Sequence, residues 1–250
     1  MSPTQRKSAS NNNVVANETG QKRTRDSVYQ ILRKKILTLE LPPGSDLDEA
    51  KLAREIGVSR TPLREALLRL SGEQLVKVIP NRGSEVTPIH VTDFPRYIES
   101  LSLTQRAINH LAALRRTRDD INAISAACRK FEVAVENDDV MAMADSNRQF
   151  HAAIADATRN SFMTHMYSYL LDSGIRLALI SFSYGGQSTE VAEDVQHRKS
   201  VIQEHRAILN AINLGDSKTA EELGNRHAVL FQQRFLKSMQ QTDLDDISIP

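Results

Sequence analysis

Two groups of side chains in this chain have the types and spacing to do chemistry. The first is the run Ser59, Arg60, Thr61 and Arg64, with Asn81, Arg82 and Gly83 following further along. A guanidinium can donate to guanine O6 and N7 at once, a contact that discriminates between bases by about 1–3 kcal/mol, while hydroxyls and amides at a helix start suit phosphate oxygens. An arginine beside a glycine at a loop tip can enter a minor groove, because glycine lets the backbone come close. The plainer reading of Arg60 and Arg64 is a solvated helix face bridged to Glu55 or Glu65, since exposed ion pairs contribute little.

The second group is His151 in NRQFHAAI, His205 in QEHRAIL and His227 in GNRHAVL. Asn147 stands four residues before His151 and therefore projects from the same helical face one turn earlier. Neutral imidazoles converging from several helices hold a divalent transition metal while leaving coordination positions open. A single histidine on such a helix is as readable as a hydrogen-bonded structural residue, and spacing along the chain does not say whether three helices meet. Arg176, in the apolar stretch DSGIRLALI, needs a partner, either a ligand carboxylate or Asp172.

The elements that must position these groups are helical with one small exception. Residues Val28, Ile31, Leu32, Ile36 and Leu39 mark one face of a first helix from Arg25, which Leu41-Pro42-Pro43-Gly44 ends. A second helix, Asp48 to Ile56, turns Leu52, Ala53 and Ile56 inward and stops at Gly57. The third starts at Val58-Ser59-Arg60-Thr61-Pro62, with Ser59 or Thr61 placed to cap it and Leu63, Ala66, Leu67 and Leu70 as its inner stripe. Leu75 to Ile79 and Glu85 to Thr87 read as two strands joined by residues 80–84, with Arg82 and Gly83 at the tip. Together these make a winged helix-turn-helix with a two-stranded wing, in which the N-terminal residues of the third helix meet the major groove.

Beyond Pro88 the pattern is helical to about Ser238, with breaks near 117–119, 137–139, 159–160, Gly185-Gly186 and 215–216, so the expectation is an antiparallel bundle of about six helices. Its Ala-rich stripes are Ala107, Leu111, Ala112 and Leu114, and Ala152, Ile154 and Ala155. The fold class is therefore mainly α, divided into a disordered arm (1–22), the winged domain (23–88), an all-α domain (92–240) and an acidic tail (241–250). Low aromatic content (5%) and no Trp agree with packed helices rather than a β-sandwich.

Charge says where to look. Before His90 there are 15 Lys and Arg against 10 Asp and Glu, and after it the balance turns acidic, so the front half suits a polyanion. The single cysteine, Cys128, has no internal disulfide partner and fits a reducing compartment. With no apolar signal core at the start and no stretch near the roughly 20 apolar residues that span a bilayer, the expected location is the cytoplasm.

The run LAREIGVSRTPLREALLRLSGEQLVKVIPNRGSEV, Leu52 to Val86, resembles the N-terminal domain of the GntR family of bacterial transcription regulators. The segments N-x-x-F-H, E-H-R-A-I-L-N-A-I and the later R-H resemble the FCD ligand-binding domain of its FadR branch. The resemblance implies a homodimer acting at the nucleoid on double-stranded DNA with an inverted-repeat operator, Arg60 and Arg64 on bases or phosphates and the Gly83 wing in the neighbouring groove. It implies a metal, zinc or nickel, on Asn147, His151, His205 and His227, helping to bind a small organic acid. Asn147 replaces the more usual aspartate, an uncharged and weaker ligand. Ala50 stands where many relatives have a DNA-contacting arginine. Leu101 stands where many have an arginine near the effector, and Arg106 follows five residues later as the candidate to replace it.

The sequence thus reads as a ligand-responsive transcription regulator, a repressor released by a small carboxylate, and not an enzyme. Thr87 to Pro95 would transmit the signal. One rival takes the ion itself as the signal. The other is a metal-dependent hydrolase, disfavoured because no HExxH-type acid stands beside these histidines.

Overall fold

The computed structural model describes residues 26–80, 82–184 and 191–240. The expected arm, the acidic tail, Asn81 and the Gly185-Gly186 break lie outside these residues. The chain divides into two compact units that part between Pro88 and Ile89.

The first unit opens with helix α1 (26–37), which buries Val28, Tyr29, Leu32, Ile36 and Leu37. Ile31 and Leu39, expected inward, are not there: Ile31 is 39% exposed, and Leu39 has left the helix with φ 62°. The chain before Pro42 must leave the α region, because the proline ring clashes with a helical residue ahead of it. Helix α2 (Glu49–Ile56) is capped by Asp48, whose carboxylate accepts from Lys51 N at 2.9 Å. It ends where Gly57 (φ 75°) and Val58 donate to Arg54 O and Ala53 O, a turn that favours glycine.

Helix α3 (Arg60–Gly72) buries Leu63, Ala66, Leu67 and Leu70, each worth about 1–3 kcal/mol depending on size. At its far end Arg69 lies over the Tyr29 ring at 3.6 Å, and the Tyr29 hydroxyl donates to Glu73 at 2.7 Å, so α1 is clamped to α3. The expected two-stranded hairpin is present, and a third short strand joins it. Strands β2 (Val76–Ile79) and β3 (Gly83–Val86) form the hairpin, and a two-residue strand, β1 (Asp46–Leu47), pairs antiparallel with β3, giving the order β1-β3-β2. Two residues carry no readable alternation, which is why sequence periodicity passes over them.

Among the described residues the second unit has a single 3₁₀ turn, Val91–Asp93, and then six helices: α4 (Phe94–Arg115), α5 (Arg118–Glu136), α6 (Val140–Ala157), α7 (Ser161–Tyr184), α8 (Val191–Leu214) and α9 (Ser217–Gln240). The α4–α5 break is sealed by a capping box in which Thr117 and Asp120 exchange bonds, and α6 starts on Asp139, which accepts from Ala142 N. Ile108, Ile124, Phe150, Ile154, Tyr167, Ile208 and Ile212 form the centre of the core. Leu114, expected in the inner stripe, is 57% exposed, and Ile108 and Ala113 are buried in its stead.

Helix α9 lies along α4 at close range because of Gly224. A Cβ there would fall 2.6 Å from Asn109 Nδ2 and 3.3 Å from Gln105 O. Asn109 Nδ2 donates across the same gap to Ala220 O at 3.1 Å, which fixes the register of α9 and so the position of His227, two turns after Ala220. No helix among the described residues is long and apolar enough to cross a membrane.

Candidate functional site

In the first unit, Ser59, Arg60, Thr61 and Arg64 are all exposed at or near the start of α3. Ser59 occupies the N-cap position with extended backbone, but its side chain makes no capping bond. Helix-start amides not claimed by a cap suit a phosphate oxygen. Arg64 is not bridged to Glu55 or Glu65. Its Nε bonds Glu49 Oε2 at 2.7 Å, joining the first turn of α2 to α3, with the arginine side chain 63% exposed. On the wing, Arg82 is exposed and donates its backbone N–H to Ile79 O at 3.1 Å, and Gly83 takes φ 106°. Gly83 is already the first residue of β3, paired with Ile79.

In the second unit the three histidines meet. Their candidate ligand nitrogens lie within 4.8 Å of one another, and the ring centroids form a near-equilateral triangle of 5.1, 5.2 and 5.5 Å. His151 comes from α6, His205 from α8 and His227 from α9. The Nε2 atoms of His151 and His227 are 3.2 Å apart. Two nitrogens each about 2.0–2.1 Å from one zinc ion would stand roughly 2.9–3.4 Å apart, so this spacing suits shared coordination. His227 Nδ1 lies 2.6 Å from Glu204 Oε2, which assigns the proton to Nδ1 and turns the Nε2 lone pair toward the cluster.

His205 is the most demanding member. It is fully buried, stacked on Phe150 at 4.2 Å and edge-on to Phe131 at 4.9 Å, and neither ring nitrogen has a hydrogen-bond partner. Burial first, then the neighbouring histidines, hold the His205 and His151 imidazoles well below their usual range, so both are neutral at physiological pH. Neutral imidazoles with lone pairs facing inward are the donor form that a divalent transition metal requires, and the residues present fit one.

Beside this cluster lies a cavity of about 200 Å³. Asn147, His151 and His227 line it, as do three arginines, Arg148, Arg198 and Arg234, and a fourth histidine, His197. Among the described residues no carboxylate lines it. Arg148 bonds Asp172 and Arg198 bonds Asp138. Arg234 reaches Ser200 Oγ at 3.2 Å and Glu204 Oε1 at 3.9 Å, so Glu204 stands between a cavity arginine and a histidine of the cluster. Burial pushes the Arg234 guanidinium below its usual value, and Glu204 opposes that. The His197 imidazole is pushed down to about 3 by burial and then by Arg234 and Arg198.

The pattern of the family described as "Bacterial regulatory proteins, gntR family" matches residues 24–86, and that of the "FCD domain" matches residues 104–229, just over half the chain. The protein belongs to the GntR family of transcription regulators and carries an FCD domain. It is similar to an uncharacterized HTH-type transcriptional regulator in unstable DNA locus of Streptomyces ambofaciens, 44% identical over 89 residues, a match that spans 34% of this chain and 38% of that one. It is also similar to the galactonate operon transcriptional repressor of Escherichia coli, 25% identical over 217 residues, 79% of this chain and 90% of that one. The solved structure of E. coli McbR/YncC shares the fold with a TM-score of 0.70 at 22% identity, covering 88% of this chain and 99% of that one. Regulators of this family bind DNA operators, FCD domains bind small-molecule effectors, and neither is an enzyme.

Within this GntR regulator the two arginines proposed from sequence for the effector do not line the cavity. Arg106 is bound to Glu221 at 2.7 Å with its side chain 43% exposed, and His110 Nδ1 lies 3.3 Å from the other oxygen of the same carboxylate. Arg176 is buried in α7, where burial lowers its guanidinium to about 10 and Tyr169 and Asp172 support the charge. Sequence reasoning missed Arg148, His197, Arg198, Glu204, Arg234 and, in the first unit, Glu49. Signals existed for some of them. Arg234 follows His227 by seven residues, two turns on the same face, and His197 precedes His205 by eight.

Proposed function

We propose that this GntR regulator is a cytoplasmic homodimeric repressor of an inverted-repeat operator, released by a small carboxylate that binds in the FCD unit beside a divalent metal ion. One observation carries the effector half of this reading: three imidazoles converge next to a cavity that holds three guanidiniums and no carboxylate. Each guanidinium is paired with a carboxylate that does not line the cavity, so what the lining offers an anion is its remaining N–H donors, and a metal there would keep an open position that a ligand oxygen could fill.

Asn147, His151, His205 and His227 would hold the ion, zinc or nickel by donor type, and when bound it supplies a positive charge for an acid's oxygen. Glu204 orients His227 through Nδ1, and Arg148, Arg198 and Arg234 draw the carboxylate. The amide of Asn147 in place of a carboxylate leaves the site one charge more positive, which weakens metal binding and favours an anionic effector. The relatives named above are transcription regulators, which gives a metal-dependent hydrolase no support. None of them supports the metal-only sensor either.

On DNA, Ser59, Arg60, Thr61 and Arg64 would enter the major groove, while Asn81, Arg82 and Gly83 approach the neighbouring minor groove. An effector lowers DNA affinity only if it binds the DNA-incompetent arrangement more tightly, and a tenfold loss requires about 1.4 kcal/mol of difference. The test is to select operator sequences from random duplex DNA with the purified protein, then measure affinity for the winner at about 0.15 M salt with and without a panel of organic acids. A two-fold symmetric sequence and a tenfold or greater loss with one acid are expected. No sequence enrichment, or no acid that moves the affinity, contradicts the reading.

A further inference from the structure

The cavity beside the histidines also carries information on the body of its ligand. Along α7 the cavity is lined by Tyr167 and then by Leu171, Gly174, Ile175, Ala178 and Leu179, and from Leu171 onward this face has no hydrogen-bonding side chain. Leu101 of α4, Phe131 of α5 and Phe231 of α9 extend this wall. Tyr97 belongs to it as well, since its hydroxyl is committed to Leu170 O at 3.1 Å and only the ring is left for a ligand. Gly174 keeps it there, because a Cβ at 174 would fall 2.6 Å from that hydroxyl.

The buried polar atoms of the lining without a partner are Gln105 Nε2, Tyr167 Oη, His151 Nδ1 and His197 Nδ1, and the Tyr167 ring lies 6.2 Å from that of His151. These atoms, with the guanidiniums, can satisfy one polar head. A sugar acid bears a hydroxyl on every carbon of its chain, and each one laid against Leu171, Ile175 or Leu179 would give up water for nothing, at roughly tenfold in affinity apiece.

Resting on the carboxylate reading above, we infer that the effector is an acid with an apolar body, an aryl or branched-alkyl carboxylate, rather than a polyhydroxylated sugar acid. Size agrees. An apolar cavity of about 150 Å³ takes benzene, so about 200 Å³ takes a ring plus a short acid arm.

The full chain, in zinc-containing buffer, is titrated calorimetrically with hydrocinnamate, with galactonate and with hydrocinnamyl alcohol, which keeps the ring but lacks the carboxylate. Hydrocinnamate is expected to bind at least about tenfold more tightly than either of the others, and Ile175→Asn to weaken it at least about fivefold. Should that variant fail to fold, Leu179→Ser is measured under the same expectation. Galactonate binding as tightly as hydrocinnamate, or no weakening in a folded wall variant, overturns the apolar-body inference and leaves the carboxylate reading standing. Alcohol and acid binding equally overturns the carboxylate reading and leaves the apolar wall. Binding by none of the three overturns both.

Discussion

Glu49 Oε2 lies 2.7 Å from Arg64 Nε, so the first turn of α2 holds an arginine of α3. The bond uses Nε, and a guanidinium can bond guanine through its two Nη nitrogens, so the ion pair and a base contact are compatible. Arg64→Ala is expected to cost at least about 1 kcal/mol on operator DNA, while Arg6→Ala, in the N-terminal segment, costs far less. Glu49→Gln, which keeps a hydrogen-bond acceptor, should lose less affinity than Glu49→Ala. Fluorescence anisotropy on a fixed operator checks both, and equal, negligible losses for Arg64→Ala and Arg6→Ala contradict the DNA face.

A second prediction concerns the ion. His151 Nε2 and His227 Nε2 face each other at 3.2 Å, and removing either imidazole leaves too few donors for a stable site. His151→Ala should abolish bound metal by elemental analysis and remove the rise in melting temperature that added zinc gives the unmutated protein. The unmutated protein carrying no metal after saturation and desalting contradicts the assignment of these residues.

Much of this was legible in the sequence, for reasons that can be named. The third helix was readable because Leu63, Ala66, Leu67 and Leu70 keep the 3.6-residue period and Gly57 marks the turn before it. The histidines were readable as residues but not as a cluster, since convergence of α6, α8 and α9 is a tertiary fact. The arginines that line the cavity were not readable. Arg106 and Arg148 look alike in sequence, and only the packing shows that one pairs with Glu221 while the other lines the cavity. Strand β1 was invisible because its two residues, Asp46 and Leu47, are recruited by β3.

Acid should destabilise the metal-free protein. His205 and His151 are held far below the usual 6.5 by burial, and His197 is pushed to about 3. As pH falls through 6.5 the unfolded chain takes up protons that these folded imidazoles refuse, so stability is lost toward low pH, at up to about 1.4 kcal/mol per pH unit per histidine. Above 6.5 all three are neutral in both states and contribute no slope. Urea denaturation from pH 8 to 5 measures this, and His205→Phe, which fills the same space between Phe131 and Phe150, should flatten the curve. A stability independent of pH over that range would sink the picture of neutral, buried imidazoles.

Gly224 and Gly72 make a contrast in which the same substitution changes sign. Both are helical glycines, and replacing one with alanine in a helix gains up to about 1 kcal/mol from backbone entropy. At Gly72 an added Cβ meets nothing within 4 Å, so Gly72→Ala should be neutral or stabilising. At Gly224 the Cβ would sit 2.6 Å from Asn109 Nδ2 and 3.3 Å from the Gln105 carbonyl. Asn109 is buried and tied to Ala220 O, and the carbonyl is backbone, so the strain falls on the α4–α9 contact itself. Overpacking of this kind costs about 1–3 kcal/mol, which outweighs the propensity gain. Because His227 follows one turn later, Gly224→Ala should also weaken zinc binding, whereas Gly72→Ala leaves it unchanged. Thermal melts and zinc titrations of the two variants decide the matter: a Gly224→Ala protein as stable as the parent, with undiminished zinc affinity, would show that this close approach does not set the position of the histidine.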